Sequence, residues 1–334
     1  MVWALNRSGL TQFSLLLLAG ASCLVQAKPI ELIDDWKRSV IIDDQVSLRI
    51  ASLAPHATEL VAAAGLLAQL IAVDSNSDFP LSVKALPKLT AYPRIELEGV
   101  ISQRVTLLIL WGAGLDPTVI DKLKTYGIAV FVSEPKSAAD IVRNLQQLGR
   151  LNFRSNRQQS GRPDGQLGSR PDIQPEIQPD VQRTTGLGKG AAELAIDQWQ
   201  KRLTQLEAQY ASKPPVPYFL QVWQQPLMAL SDQSLQGEAS RICAGKNVFA
   251  QGTSAAPQTD IEAVITRKPR AWLVAASSSA DAVTSANAQA YRDSIKAKGY
   301  TGLWITLDDA QLQRPGPRWL DGVQAFCAAL NSAR

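Results

Sequence analysis

Short apolar runs alternate with amphipathic stretches along the first part of this chain. The apolar runs are short and end in turn residues, which is typical of buried strands. The amphipathic stretches carry apolar residues at helical spacing, and Gly65 ends the first of them as a C-cap. The predicted strands are Arg49–Leu53, Leu70–Val73, Thr106–Leu110 and Ile128–Val132, and the predicted helices are Thr58–Ala64 and Asp116–Tyr126. This strand–helix alternation predicts an α/β fold with a largely parallel sheet.

A long helix and a second α/β unit follow. The helix is predicted over Ala191–Ser212 and stops at Pro214-Pro215. Its apolar face is predicted to consist of Leu194, Trp199, Leu203, Leu206 and Tyr210. The strand Tyr218–Trp223 then opens the second unit, and the helix Trp319–Asn331 closes it. A chain of 334 residues suits two domains.

One helix–strand motif occurs twice. Glu98–Arg104 runs into the apolar segment Leu107–Trp111, and Glu262–Lys268 runs into Ala271–Ala275. In each copy a glutamate opens a short helix, where the helix dipole favours negative charge. The doubling favours two similar lobes that face each other with a ligand between them. The alternative is chance similarity, because α/β proteins often contain such pairs.

The N-terminus indicates export. Arg7 precedes the apolar run Leu15–Ala21, and Val25-Gln26-Ala27 supplies small residues for cleavage after Ala27. Residues 1–27 are therefore predicted to be a secretory signal peptide, since the apolar run is too short to span a membrane comfortably. Lipidation at Cys23 is the alternative. Residues 28–48 are interpreted as an N-terminal extension of unassigned role.

Two cysteines, Cys243 and Cys327, remain after removal of the signal peptide. An exported chain with two cysteines favours a disulfide, which in the chain-entropy model stabilises a loop of this length by about 4 kcal/mol. Two buried free thiols are the alternative.

Residues 152–190 break the α/β pattern. Pro171, Pro175 and Pro179 recur in step with Gln and acidic residues, and aliphatic residues are few. Such a segment buries too little apolar area to offset ordering entropy, which predicts a disordered Pro/Gln/Arg-rich insert. Gly186–Gly190 resembles a phosphate loop, but no strand precedes it. The predicted order is therefore an N-terminal lobe (49–151), the insert, a linking helix (191–213) and a C-terminal lobe (214–334).

The composition argues against several kinds of chemistry. A single histidine, His56, rules out a metal site built from several histidines. The chain has no G-x-S-x-G elbow, no C-x-x-C pair and no complete dinucleotide fingerprint after the first strand. The net charge of +4 forms no basic face, so nucleic acid is not indicated. The prediction is a protein that is not an enzyme and needs no catalytic cofactor or metal.

Candidate ligand residues lie where strands end. His56 occupies the first strand–helix turn, where α/β proteins usually bind ligands. The aromatic residues that follow or end strands are Tyr92, Trp111 and Trp223. They would suit a large planar ligand, with ordinary core or rim packing as the alternative. Arg314 and Arg318 flank a Pro-Gly-Pro turn and would bind carboxylates, amides or phosphate, or be solvated.

Several segments, in matching order and spacing, carry a family resemblance. They are Ser52–Leu60, Ala64-Gly65, Ser77–Pro80, Glu98–Trp111, Arg241–Phe249 and Glu262–Pro269. The chain resembles the periplasmic vitamin B12-binding proteins of ABC importers across Arg49–Leu330, apart from the insert. These belong to a wider class of binding proteins with a single helical backbone.

The resemblance implies two Rossmann-like α/β lobes joined by one rigid helix, with the ligand cleft between them. It implies a disulfide in the second lobe, which Cys243 and Cys327 fit. It also implies a monomer in the periplasm that captures cobalamin or a related corrinoid. Glu98 and Glu262 would dock onto arginines of a permease dimer in the inner membrane.

The ligand residues that the resemblance implies are Pro55, Tyr92, Trp111 and Arg314, to which His56 and Trp223 are added from their strand-end positions. Asn76 and Ala256 stand where the family has aromatic residues, and Trp223 is one position from the usual aromatic. Haem or ferric siderophores, which use the same scaffold, therefore stay open as ligands. A non-transport envelope module whose insert recruits a partner is a further alternative.

Overall fold

The structure, a computed structural model, describes residues 29–334 apart from 44, 92–93, 161–189, 234, 253 and 277–285. The predicted signal peptide, most of the predicted insert and the candidate residue Tyr92 lie outside the described residues. Among the helices in the described ranges, none combines the length and the apolar character needed to cross a membrane.

The first lobe is built on a parallel five-stranded sheet behind an N-terminal hairpin. Its strands are β1 (Ile30–Ile33), β2 (Ser39–Ile42), β3 (Ile50–Ser52), β4 (Leu70–Asp74), β5 (Lys88–Leu89), β6 (Leu107–Trp111) and β7 (Ala129–Ser133). Its helices are α1 (Pro55–Ala63), α2 (Leu97–Ser102), α3 (Pro117–Thr125) and α4 (Ala138–Ser160), with 3-10 turns at Leu67–Gln69 and Leu81–Ala85. The sheet order is β5-β4-β3-β6-β7.

The second lobe repeats this plan. The linking helix α5 (Ala191–Tyr210) precedes it. Its own elements are the helices α6 (Leu235–Ile242), α7 (Ile261–Thr266), α8 (Ala286–Ala297), α9 (Asp309–Leu312) and α10 (Trp319–Ser332), and the strands β8 (Val216–Trp223), β9 (Met228–Ala229), β10 (Gly245–Asn247), β11 (Ala271–Ala276) and β12 (Leu303–Asp308). The strands β10-β8-β11-β12 run parallel in that order, and β9 pairs antiparallel with β8. Central strands of both sheets are almost wholly buried because helices cover both faces.

The helix α5 joins the lobes. It packs against α1 and α4 on one side and against α6 and α10 on the other. Its buried residues belong to one continuous core that also contains Leu60 of the first lobe and Trp319 of the second. The predicted buried face was wrong at Leu194, which is exposed, because the buried positions follow the register of Ala192, Ile196 and Trp199. A link that shares one core with both lobes resists bending.

Two predicted boundaries differ from the structure. The helix α1 begins at Pro55, ahead of the predicted start at Thr58, because proline is favoured at the first helical position. The helix α4 continues to Ser160, so the prediction that the insert begins at residue 152 was wrong. No proline interrupts residues 152–160, and the first one beyond them is Pro163.

The N-terminal extension covers a sheet edge. The backbone N–H of Asp35 donates to Val132 O at 3.0 Å, and Val132 N–H donates to the Asp34 carboxylate at 3.3 Å. Arg38 pairs with the buried Asp34 at 2.5 Å and holds that carboxylate in place. The turn between β1 and β2 therefore occupies both backbone groups of Val132 on the outer edge of β7, which would otherwise be unpaired.

Cys243, directly after α6, is bonded to Cys327 in α10, with the two Cα atoms 4.7 Å apart. The disulfide prediction is confirmed, and the bond ties the last helix to the segment that leads into β10.

Candidate ligand cleft and docking surface

The order of strands locates a candidate ligand site in each lobe. In the first sheet the chain moves outward in one direction from β3 to β5 and in the other from β6 to β7, so the order reverses between β3 and β6. In the second sheet the reversal lies between β8 and β11. Open α/β sheets bind ligands outside the carboxyl ends of the strands at such a switch point.

The first switch point is flanked by Pro55, His56 and Trp111. Pro55 and His56 follow β3, and Trp111 is the last residue of β6. Trp111 is 52% exposed, Pro55 is half-buried and His56 is buried. The structure thus brings three of the predicted ligand residues together, with the indole as the exposed platform.

His56 lies behind that platform. Its ring is 6.3 Å from the Trp111 ring in an edge-on arrangement at 75°. Its Nε2 lies 3.1 Å from Ser133 Oγ and 3.3 Å from Ser133 O, at the end of β7. Burial lowers the His56 pKa to about 4, although the Ser133 carbonyl and Asp35 act in the opposite direction. The imidazole is therefore neutral near pH 7, and it packs edge-on against the Trp111 indole.

The second switch point carries Trp223 at the end of β8. Its side chain is 61% exposed, and its Nε1–H donates to Gln225 O in the following turn at 2.9 Å. This bond satisfies the polar atom of the indole and leaves its faces to solvent. In each lobe, a strand beside the switch point therefore ends in an exposed tryptophan.

A charged cluster connects the lobes, and the sequence did not predict it. Arg318, just before α10, donates from Nε and Nη2 to Glu59 Oε1 of α1, at 3.0 and 2.6 Å. The Glu59 side chain is only 2% exposed, and its Oε2 has no hydrogen-bond partner among the described residues. Burial raises the Glu59 pKa, and the two arginines Arg318 and Arg314 pull it back down.

Arg314 belongs to the same cluster. Its Nη1 donates to Asp78 Oδ1 at 2.6 Å and lies 3.9 Å from Glu59. The arginine holds the pKa of Asp78 below its usual value, against the opposing effect of partial burial. The guanidinium of Arg318 also lies 4.2 Å from the Phe79 ring centroid, within range of a cation–π contact. Both arginines thus bind carboxylates of the first lobe, and the ligand contact expected of Arg314 stays a prediction.

The two copies of the helix–strand motif have the same local geometry. Glu98 and Glu262 are each the second residue of their helix, and each carboxylate is exposed. Arg104 and Lys268 take the left-handed backbone conformation at φ 51° and 52° before β6 and β11. The predicted duplication is confirmed at this level.

Glu98 and Glu262 lie at the amino ends of their strands, away from the switch points. The helix α2 leads into the start of β6, whereas Trp111 ends that strand. The helix α7 leads into the start of β11, whereas Trp223 ends its parallel neighbour β8. A five-residue strand such as β6 is about 16 Å long, so the glutamates are remote from the tryptophans.

A cavity of about 520 Å³ lies between α4 and α5 and is lined by Arg150, Ala192 and Ile196 among others. It shares no residue with the switch points. Among the described residues, no group of three or more His, Cys, Asp or Glu side chains is placed to hold a metal ion.

Two parallel-sheet lobes on one shared helix, with exposed tryptophans at their switch points, define the class of two-lobed substrate-binding proteins with a single helical backbone. No family model matches the chain. A vitamin B12-binding protein of Vibrio vulnificus strain CMCP6 is 32% identical over 318 residues, which is 95% of each chain. One of Vibrio parahaemolyticus is 30% identical over 286 residues, 86% of this chain and 90% of that protein. The chain belongs to the family of vitamin B12-binding proteins.

Solved structures agree with this assignment. The periplasmic vitamin B12 binding protein BtuF of Vibrio cholerae has a TM-score of 0.64 and 27% identity, covering 85% of this chain and 97% of that one. The periplasmic haem binding protein HutB of the same organism has a TM-score of 0.65 but 19% identity, so it shows the fold alone. The predicted fold and the predicted family are both confirmed.

Proposed function

We propose that this protein captures cobalamin in the cleft between its lobes and delivers it to an ABC permease in the inner membrane. Membership of the vitamin B12-binding family is the observation that carries the proposal. The protein acts in the periplasm as a monomer, after removal of residues 1–27, and binds its ligand without covalent change.

The cleft chemistry suits a corrin ring. Trp111 and Trp223 offer exposed indole faces at the two switch points, and stacking on a large planar ligand buries apolar area on both sides. Pro55 adds to the wall of the first lobe beside Trp111. Tyr92 stays a ligand residue expected from the family resemblance. Arg314 keeps guanidinium donors for ligand amides beyond the Nη1 bond to Asp78. His56 supports Trp111 from behind.

Calorimetric titration with cyanocobalamin tests the ligand. We expect Trp111→Ala and Trp223→Ala each to weaken binding at least tenfold, because each removes one stacking face. Tyr126→Ala is the matched control, because Tyr126 is an exposed aromatic residue at neither switch point. This variant should leave the affinity for cyanocobalamin unchanged. Failure of the wild-type protein to bind cyanocobalamin at micromolar concentration would refute the assignment.

Haem is the competing ligand on this scaffold, and it is tested in the same series. His56 Nε2 is already engaged by Ser133 and the side chain is buried, so axial ligation through Nε2 is not supported. Tight haem binding with a Soret shift that His56→Ala abolishes would replace cobalamin by haem as the ligand.

We propose that Glu98 and Glu262 bind arginines of the permease, one on each lobe. Both carboxylates are exposed and remote from the tryptophans. Charge-assisted pairs with arginine orient a complex as well as stabilise it. This separation leads us to expect that substitutions at the two glutamates leave the cleft unchanged.

Vitamin uptake in cells that carry the cognate transporter tests the docking role. Glu98→Ala with Glu262→Ala should impair uptake while cyanocobalamin affinity and melting temperature stay nearly unchanged. Glu98→Arg with Glu262→Arg should be worse, since it sets like charges against each other. Glu207→Ala, an exposed glutamate on α5, is the control. Wild-type uptake by the double arginine variant would refute docking.

A further inference from the structure

The two docking glutamates have different neighbours. Glu262 Oε1 accepts a hydrogen bond from Lys298 Nζ at 2.6 Å, and this bond lowers the Glu262 pKa. Both side chains are solvent-exposed, Lys298 by 47% and Glu262 by 67%. Within the described ranges, Glu98 has neither an ion pair nor a side-chain hydrogen bond.

The internal repeat identifies the position that makes this difference. After each docking helix the chain forms a strand, a helix and a glycine with positive φ, which is Gly127 in the first lobe and Gly299 in the second. The same backbone bond closes both turns, from Ile128 N–H to Leu123 O and from Tyr300 N–H to Ile295 O. Directly before the glycine stands Tyr126 in the first lobe and Lys298 in the second. Over Leu123–Ile128 and Ile295–Tyr300 the lobes therefore share this backbone bond and differ in charge only at Tyr126 and Lys298.

We propose that Lys298 is an intramolecular counter-ion that makes docking unequal, with Glu98 binding the permease first and Glu262 only after Lys298 is displaced. The inference rests on the proposed docking function. Lys298 already occupies Glu262 Oε1, so a permease arginine cannot form a bidentate pair with this carboxylate until the lysine is displaced. The ammonium group also repels the arriving cation, whereas Glu98 meets neither obstacle.

Binding of the mature protein to its cognate transporter in nanodiscs tests the inference. Lys298→Gln should tighten binding about two- to fivefold at low salt, the range expected for one exposed ion pair, and the gain should shrink as salt rises. Glu98→Ala should weaken binding more than Glu262→Ala does. In the Glu262→Ala background, Lys298→Gln should have no effect, because the carboxylate through which it acts is gone.

Two variants control for charge in general. Lys296→Gln makes the same change in net charge on the same helix, at an exposed lysine, and should leave binding unchanged. Tyr126→Lys places a lysine at the equivalent position in the first lobe and should weaken binding through Glu98.

The outcomes separate the two proposals. If Glu98→Ala and Glu262→Ala both leave binding unchanged, the docking function itself fails, and the counter-ion role with it. If they weaken binding but Lys298→Gln does not tighten it, or Lys296→Gln tightens it equally, only the role of Lys298 is overturned.

Discussion

The side chains packed behind the two switch points differ in kind between the lobes. Behind the first switch point lie buried polar side chains: His56 against Ser133, and Ser52, Thr58 and Ser77 joined by hydroxyl contacts of 2.5 and 2.7 Å. Behind the second lies an aromatic cluster around Trp272, and the buried Gln221 accepts the Trp272 Nε1–H at 2.8 Å.

This difference predicts which kind of change destabilises each lobe. The polar side chains of the first lobe make its stability depend on protonation through His56, because the buried imidazole is stable only in its neutral form. An aromatic support depends on volume, because a removed ring leaves a cavity. Burial raises the pKa of Tyr218 and Tyr300 in the second lobe, so both stay neutral at any pH near 7.

The largest effect is expected in the second lobe. Trp272 is fully buried, 4.7 Å from Phe219 and stacked on Trp304 at 5.4 Å between ring centroids. Trp272→Ala should lower the free energy of unfolding by about 4 kcal/mol, and equally at pH 7 and pH 5. Urea denaturation measures it, with the exposed Trp223→Ala as a control that changes stability little. A loss for Trp272→Ala below about 1 kcal/mol would contradict the volume argument.

A second test addresses the ion pair that joins the lobes. Arg318→Met leaves the Glu59 carboxylate buried, with Arg314 at 3.9 Å as its nearest remaining cation among the described residues. We expect a loss of about 3 kcal/mol at pH 7 by urea denaturation. The loss should shrink at lower pH, because burial already raises the Glu59 pKa and an unpaired Glu59 takes up a proton more readily.

The double variant Glu59→Gln with Arg318→Met is the control for this pair, since it removes both charges together. It should recover most of the lost stability, because the main cost of the single change is an uncompensated buried charge. A double variant as unstable as the single one would mean that the pair matters through packing.

The sequence predicted what depends on local pattern. The repeated motif at Glu98 and Glu262 predicted two lobes. The positions of Trp111 and Trp223 at strand ends predicted that they lie beside the switch points, because parallel strands end at one edge of their sheet. Export together with two remaining cysteines favoured the disulfide, and the family resemblance supported it and added the ligand class. These features need only spacing along the chain.

The inter-lobe contacts could not be predicted in this way. Glu59 and Arg318 are 259 positions apart, and neither has a local pattern that names its partner. The one available signal was a glutamate within the apolar segment Thr58–Ala64, where a charge must find a partner if buried. Burial of His56 likewise depends on Trp111 and Ser133 from two other strands. The contact between Lys298 and Glu262 likewise joins residues 36 positions apart and has no local pattern.

The smallest expected effect is the pH dependence that His56 gives to the free energy of unfolding. The His56 pKa is about 4 in the folded protein and 6.5 in the unfolded chain. Between these values the unfolded chain binds a proton and the folded protein does not, so stability falls as pH falls through this window. From pH 8 to pH 5 the loss should be about 2 kcal/mol.

Comparison with His56→Gln isolates the contribution of the histidine, which is the only one in the chain. Glu59 has a raised pKa and acts in the opposite direction, adding stability as pH falls, but it does so equally in both proteins. Asp78 and Asp140 have lowered pKa values and lose their contribution only below their ordinary value of 3.8, outside the window. The unfolding free energy of wild type should therefore drop by about 2 kcal/mol more than that of His56→Gln between pH 8 and pH 5. Parallel pH profiles would mean that His56 charges freely in the folded state, and the first lobe would then be no more sensitive to protonation than the second.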